Sequence, residues 1–390
     1  MTRQGQGTGG RRIGSVDSLR CFAMTAVVAQ HCGLLPFGWA GVWLFFVISG
    51  YVVTGSVIAK PQTDSPARRL KSFFSRRTRR IVPVYYAYVL AGVALAIASG
   101  ATLEAYDVAS LLGFFHNVAM GAGRGTLADW PVGHLWTISV EMQFYLVFGI
   151  CLILLPRRWL IALLFVVLLA TPVARWVISL RLAEAGLGDE ASAFILYSGA
   201  FLHTDIFAAG ALLAFADRHG FLDRIARPLA CAGMAALIAY CAFYVWINFT
   251  MHHADGMDAF RNIVSGVLWG QYREVFVYSA LGAAATGLVA LAATNDPLTD
   301  RLLRHRLLQR IGETSYGAYI FHALAIVVGV ELLSVVFEPG EHSLADRLLL
   351  FAVSYAVTVA AAELSYRHFE SRFTRKRPAS TIHRPALAAE

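Results

Sequence analysis

Charge is what this chain has least of. Asp, Glu, Lys and Arg make up only 15% of its 390 residues, against about 25% in a soluble domain, and the mean hydropathy is +0.57. So little charge cannot clothe a water-soluble fold, and the chain reads as an integral membrane protein. Cysteine is also scarce. Cys21, Cys32, Cys151, Cys231 and Cys241 each sit in an apolar run, which excludes a disulfide framework or a cysteine metal site and leaves small core residues. No small-residue cleavage site follows Arg11-Arg12, and an apolar run begins almost at once. The first helix is therefore expected to be uncleaved. Neither an internal repeat nor a separate soluble domain is visible.

What is present is a series of long apolar runs. Ten stand out, at 19–35, 39–59, 81–99, 134–155, 159–180, 194–216, 229–249, 275–294, 312–335 and 346–368. Each approaches the roughly 20 residues a helix needs to cross a bilayer. An eleventh stretch, 107–121, is shorter and carries Asp107, His116 and Asn117; it suits a re-entrant or interfacial segment. The expected fold is an all-α integral membrane protein of ten transmembrane helices, one domain over 14–368. Flanking it are a Gly-rich disordered tail at 1–13 and a basic tail at 369–390. With both termini cytoplasmic, 26 of the 33 lysines and arginines fall on the inside, five fall outside, and Arg20 and Arg175 lie within spans. The net charge of +8 is thereby a topology signal rather than a nucleic-acid footprint.

Several ionisable residues interrupt this pattern. Arg20 and His31 are eleven residues apart. At about 100° and about 1.5 Å per residue they share a helix face, about 16 Å apart along the axis. Ionisable groups at membrane depth mark function, and histidine moves protons near neutral pH. The competing reading is a packed histidine with a snorkelling arginine. Arg76, Arg77, Arg79 and Arg80 precede Pro83; such guanidiniums suit phosphate, though basic clusters beside spans also hold anionic lipid and set topology. Glu141 lies about two turns into the run opened by His134, at a depth that matches His31. There a carboxylate would fix a tautomer or favour the imidazolium; the alternative is an interhelical hydrogen bond. His322 falls mid-span, Ser315-Tyr316 opens the same span, and Asp205 and Arg175 suit interhelical partners. Ser49-Gly50 suggests close helix packing, and Trp43, Phe45 and Phe46 suggest core and lipid contact. His252, His253 and Asp255 lack a defined metal spacing, so no metal is expected.

Taken together, these segments resemble the membrane acyltransferase-3 family of bacterial O-acyltransferases. The resemblance covers roughly 13–375. It rests on Asp17-Ser18-Leu19-Arg20 with His31 (the family's Arg-x10-His signature), Gly41 to Tyr51, and Arg77-x-x-Arg80-Ile81-x-Pro83. His134 to Tyr145, Gly312 to His322, and Tyr366-Arg367-His368-Phe369-Glu370 complete it. The chain departs from the family where Met142 follows Glu141, where Ser371 follows Glu370, and where His203 precedes Asp205. Ending at 390, it looks like the form without an added extracytoplasmic domain.

The resemblance implies acyl transfer, most simply of acetyl, from cytoplasmic acyl-coenzyme A to a hydroxyl of a glycan or lipid-linked sugar at the outer face of a bacterial inner membrane. Arg77 and Arg80, with Arg76, Ser315 and Tyr316, would hold coenzyme A. His31 would be base or acyl relay, with Arg20 and Glu141 as catalytic companions and Asp17, His134, Asp205 and His322 as cavity lining. Glu141 would orient His31, and Arg20 would line the path or stabilise charge on the thioester oxygen. Membrane lipid and the acceptor are the expected partners; the motifs specify neither acceptor nor oligomeric state. The alternative acceptor is a small natural product such as a macrolide. A proton-coupled transporter also uses buried Arg, His and Glu, but it needs no basic cluster for a nucleotide-bearing donor.

Overall fold

A computed structural model describes residues 14–59, 63–260, 263, 268–334 and 343–374. Among these residues the protein is all-helical, with a single isolated bridge, Leu127–Asp129, outside any strand. The expected tail at 1–13, and all but the first six residues of the one at 369–390, lie outside the described residues.

In chain order the helices are α1 (Gly14–His31), α2 (Ala40–Ile58), α3 (Pro66–Ala98), α4 (Ala105–Leu112) and α5 (His116–Gly121). After a short 3-10 turn at Gly133–Leu135 come α6 (Trp136–Leu154), α7 (Arg157–Glu184), α8 (Asp189–Ser198), α9 (Thr204–Arg218) and α10 (Leu222–Met251). They are followed by α11 (Arg273–Ala293), α12 (Pro297–Leu303), α13 (Arg306–Glu313), α14 (Ser315–Leu333), α15 (Leu344–Ser365), a π-helical turn at Tyr366–Glu370, and α16 (Ser371–Thr374).

Nine segments among the described residues are long and apolar enough to cross a membrane, which makes this a multi-pass membrane protein. They correspond to nine of the ten expected runs. The remaining one, α1, is an 18-residue helix that does not reach the same hydropathy. Its buried residues include Ser15, Asp17 and Ser18, because other helices rather than lipid surround it. The stretch 107–121 forms two short helices, α4 and α5, neither long enough to cross.

Three boundaries differ from the sequence reading. α3 starts at Pro66, capped by Ser65, so the basic cluster lies within a helix rather than ahead of it. Pro at the first helical position lacks an N–H where none is needed, which favours this early start. The run 194–216 is broken: α8 ends at Ser198 and a 3-10 turn at Ala200–His203 leads into α9. α1 ends at His31 rather than at 35.

α2 lies at the centre, packed on α1, α9 and α11. A Cβ at Gly41 would collide with the Ala23 carbonyl, and one at Gly50 with the Phe207 carbonyl. Small residues let these backbones touch, the packing mode of helices in lipid, as Ser49-Gly50 led us to expect. Trp43 is fully buried and stacks on Tyr278 with ring centroids 5.1 Å apart. Exposed apolar side chains such as Leu95, Ile97, Phe165, Leu169, Ile238 and Trp246 clothe the outside of α3, α7 and α10 as a lipid-facing surface.

Candidate active site

A pocket of about 740 Å³, partly open to solvent, lies among α1, α2, α3, α6 and α14. Its polar lining comes from Arg20, Ser49, Arg77, Arg80, Glu141, Tyr145, Thr137, Ser315, Tyr316 and Tyr319. Arg20 is paired, donating to Asp17 at 2.8 Å. Arg77 and Arg80 form no hydrogen bond or ion pair among the described residues. The Arg77 guanidinium instead lies 5.4 Å from the Tyr145 ring centroid, with its Nε buried and unpartnered. Guanidiniums with N–H donors left open beside a pocket are chemically suited to phosphate oxygens.

Glu141 belongs to this pocket. Its carboxylate accepts hydrogen bonds from the Ser49 and Tyr145 hydroxyls, and no hydrogen bond or ion pair joins it to His31. The expected pairing of Glu141 with His31 is therefore not formed. The reason is where α1 ends. It stops at His31 rather than at 35, so His31 stands at the helix end, level with the turn that holds His134 by way of His322, whereas Glu141 is seven residues past His134, about 10 Å further along the helix.

His31 has other company. Its side chain, at the exposed end of α1, lies 5.3 Å from the ring of His322 between centroids. His322 in turn lies 4.7 Å from His134 in a T-shaped contact. His322 is fully buried. Tyr319 touches both regions: it lines the pocket, packs 5.2 Å from the His322 ring, and its hydroxyl bonds Thr137 at 2.9 Å. Pocket and histidine cluster are thus contiguous through one tyrosine.

The remaining sequence candidates fall elsewhere. Arg76 is exposed, donates to Ser72, and lines a different surface hollow with Asp64 and Arg69. Asp205 pairs with Arg175 at 2.7 Å, deep between α7 and α9; Arg175 also donates to the Leu202 carbonyl and the Ser279 hydroxyl. These two are the interhelical partners their positions suggested. Tyr316 donates to the Ile81 carbonyl at 2.7 Å and ties α14 to α3. No group of three or more His, Cys, Asp or Glu side chains able to hold a metal occurs among the described residues.

Thr137, Tyr145 and Tyr319 line the pocket but are only quoted within motifs in the sequence reading, and Ser49, read there as a packing residue, also lines it. A signal existed. Thr137 and Tyr145 lie four residues before and after Glu141, and Tyr319 lies four after Ser315. Such neighbours share a helix face.

The helices define a multi-pass membrane protein with a basic pocket next to buried histidines. Residues 13–366 match the acyltransferase-3 family, described as an acyltransferase domain, and the chain belongs to that family. It is similar to the peptidoglycan O-acetyltransferase OatA of Listeria monocytogenes, 24% identical over 387 residues, covering 92% of this chain and 55% of the relative. A putative peptidoglycan O-acetyltransferase of Bacillus subtilis, YrhL, is 26% identical over 384 residues, covering 92% and 54%. A putative O-acetyltransferase of Staphylococcus aureus is 23% identical over 389 residues, covering 94% and 58%. The chain spans little more than half the length of these curated relatives. No solved structure matches it.

Proposed function

We propose that this protein is a ten-span enzyme of the bacterial inner membrane, a single domain over 14–368 with cytoplasmic termini and α1 as the tenth span. It transfers an acyl group, most simply acetyl, from cytoplasmic acyl-coenzyme A to a hydroxyl of a glycan or lipid-linked sugar at the outer face. The names of the relatives, peptidoglycan O-acetyltransferases among them, support a glycan acceptor.

One observation carries the reading: three arginines, Arg20, Arg77 and Arg80, line a pocket whose one carboxylate is Glu141, Arg77 and Arg80 are in no ion pair among the described residues, and the pocket adjoins a histidine cluster through Tyr319. The two guanidiniums would bind the donor's phosphates, with Ser315 and Tyr316 beside them. The acyl end would extend toward His31. The acceptor hydroxyl attacks the thioester carbon, and its proton passes to His31. The new C–O bond forms, the C–S bond breaks, and the proton ends on the coenzyme A sulfur. Arg20 lies about 16 Å from His31 along their common helix, too far to touch the same reacting oxygen. Its role in this reading is to line the donor path.

The test is a thermal shift of the detergent-solubilised full-length protein with acetyl-coenzyme A. Stabilisation that is lost in Arg77→Ala/Arg80→Ala supports the donor site; no shift in the wild type favours a transporter. A folded His31→Ala protein that kept full acetyl transfer would refute the role given to His31.

A further inference from the structure

The aromatic ring against His31 is that of another histidine, His322, and its tautomer is fixed by its surroundings. His322 Nδ1 lies 2.6 Å from the Tyr319 carbonyl oxygen. A carbonyl only accepts, so Nδ1 carries the hydrogen and Nε2 is a bare lone pair. That Nε2 is buried and has no partner. The same logic applies to His134. Its Nε2 lies 3.0 Å from the Ile320 carbonyl and must donate, which leaves Nδ1 buried and unpartnered. Two consecutive carbonyls of α14 thus lock two imidazoles into opposite tautomers. Leaving a buried acceptor unsatisfied is unfavourable, so an orphan of this kind calls for an explanation.

We propose that His322 is the positioning partner of His31. In the reacting enzyme its Nε2 accepts a hydrogen bond from one N–H of His31, and the other His31 nitrogen is thereby held as a lone pair aimed at the acceptor hydroxyl. Two imidazoles joined by one hydrogen bond of about 2.9 Å have centroids about 5 Å apart; the rings stand 5.3 Å apart and tilted by 41°, so a rotation of the exposed His31 ring forms the bond that they do not make as placed. His134, packed edge-on against His322, holds the middle ring in place. The exposed end of α1 keeps His31 reachable, while full burial keeps His322 out of reach of acceptor and water.

The chemistry differs from that of a carboxylate partner. As the acceptor oxygen bonds the acyl carbon and the C–S bond breaks, the hydroxyl proton moves to His31. The second N–H of the imidazolium stays on the His322 lone pair, and His322 gains no net proton. His31 then returns its proton to the coenzyme A thiolate. A neutral imidazole stabilises the imidazolium less than a carboxylate would, so His31 remains the stronger acid for that last transfer.

The inference rests on His31 being the proton acceptor, and the experiment separates the two. Acetyl transfer is measured for full-length wild type, His31→Ala, His322→Leu and His322→Gln. The leucine variant removes the lone pair; glutamine keeps an amide acceptor. We expect His322→Leu to lower kcat about 100-fold, with KM for acetyl-coenzyme A and the donor-induced thermal shift unchanged, and His322→Gln to recover about tenfold of that loss. An active His322→Leu beside an inactive His31→Ala overturns the His322 role alone, whereas an active His31→Ala overturns the underlying reading. In case His322→Leu fails to fold, wild-type protein labelled with 15N-histidine decides by solid-state NMR. The proposal requires an Nδ1-protonated His322 whose Nε2 accepts from a His31 N–H; an Nε2-protonated His322 overturns it.

Discussion

The Arg77 guanidinium lies over the Tyr145 ring, 5.4 Å from its centroid, and the Tyr145 hydroxyl donates to Glu141. Arginine, tyrosine and glutamate thereby form one unit on the wall of the basic pocket. A planar cation held against an aromatic face keeps its orientation without consuming its N–H donors. Arg77→Lys keeps the charge but loses the stack and the fork. Its KM for acetyl-coenzyme A is expected to rise about tenfold, and that of Arg77→Ala about 100-fold, the range of a charge-assisted hydrogen bond. Steady-state kinetics with varied donor check this.

Glu141 sits with the donor-side arginines and not with His31. Glu141→Gln is therefore expected to change KM for the donor several-fold while kcat stays within about threefold of wild type. A large fall in kcat at unchanged KM would instead return Glu141 to the reacting centre.

Arg175 and Asp205 are both almost fully buried and bonded through two guanidinium nitrogens. Removing one partner leaves a charge stranded in a low dielectric. Asp205→Ala is expected to destabilise the protein by about 3 kcal/mol, and an Arg175→Leu/Asp205→Leu pair by less. Denaturation in mixed micelles, arranged as a double-mutant cycle, measures the difference.

His116 lies in α5, outside the nine apolar spans. Burial pushes its pKa from 6.5 down to about 4, against the opposing pull of the Val132 backbone and the Asp107 charge. The unfolded chain therefore takes up this proton first on acidification. Its contribution to stability is complete above about pH 6.5 and is lost as pH falls toward about 4. The melting temperature is expected to drop across that window, and His116→Gln to flatten the slope.

Gly50 touches the Phe207 carbonyl and Gly210 the Val47 carbonyl, so α2 and α9 approach each other through both glycines. Gly50→Val forces the backbones apart and is expected to abolish the folded, monodisperse protein in gel filtration. An exposed glycine with open space around its Cβ position, such as Gly100, has no neighbour to displace, but its φ of +75° favours glycine, so Gly100→Ala is expected to cost only about 1 kcal/mol.

Much of this protein is determined by its sequence alone. Length and apolarity are one-dimensional properties, so the runs that became α2, α3, α6, α7, α10, α11, α14 and α15 were legible, as were the short stretch at 107–121 and the basic cluster around Arg77 and Arg80. Helical spacing alone also puts Arg20 and His31 on one helix. Which side chains meet across helices is a different kind of information. Depth depends on where each helix begins and ends: α1 stops at His31, which puts that ring at the level of His134 and His322, while Glu141 stays further along α6 with the arginines. Rotation and approach depend on the small-residue contacts of Gly41 and Gly50, whose partners Ala23 and Phe207 are remote in sequence. Only the tertiary structure could decide that His31 stands next to His322 rather than Glu141.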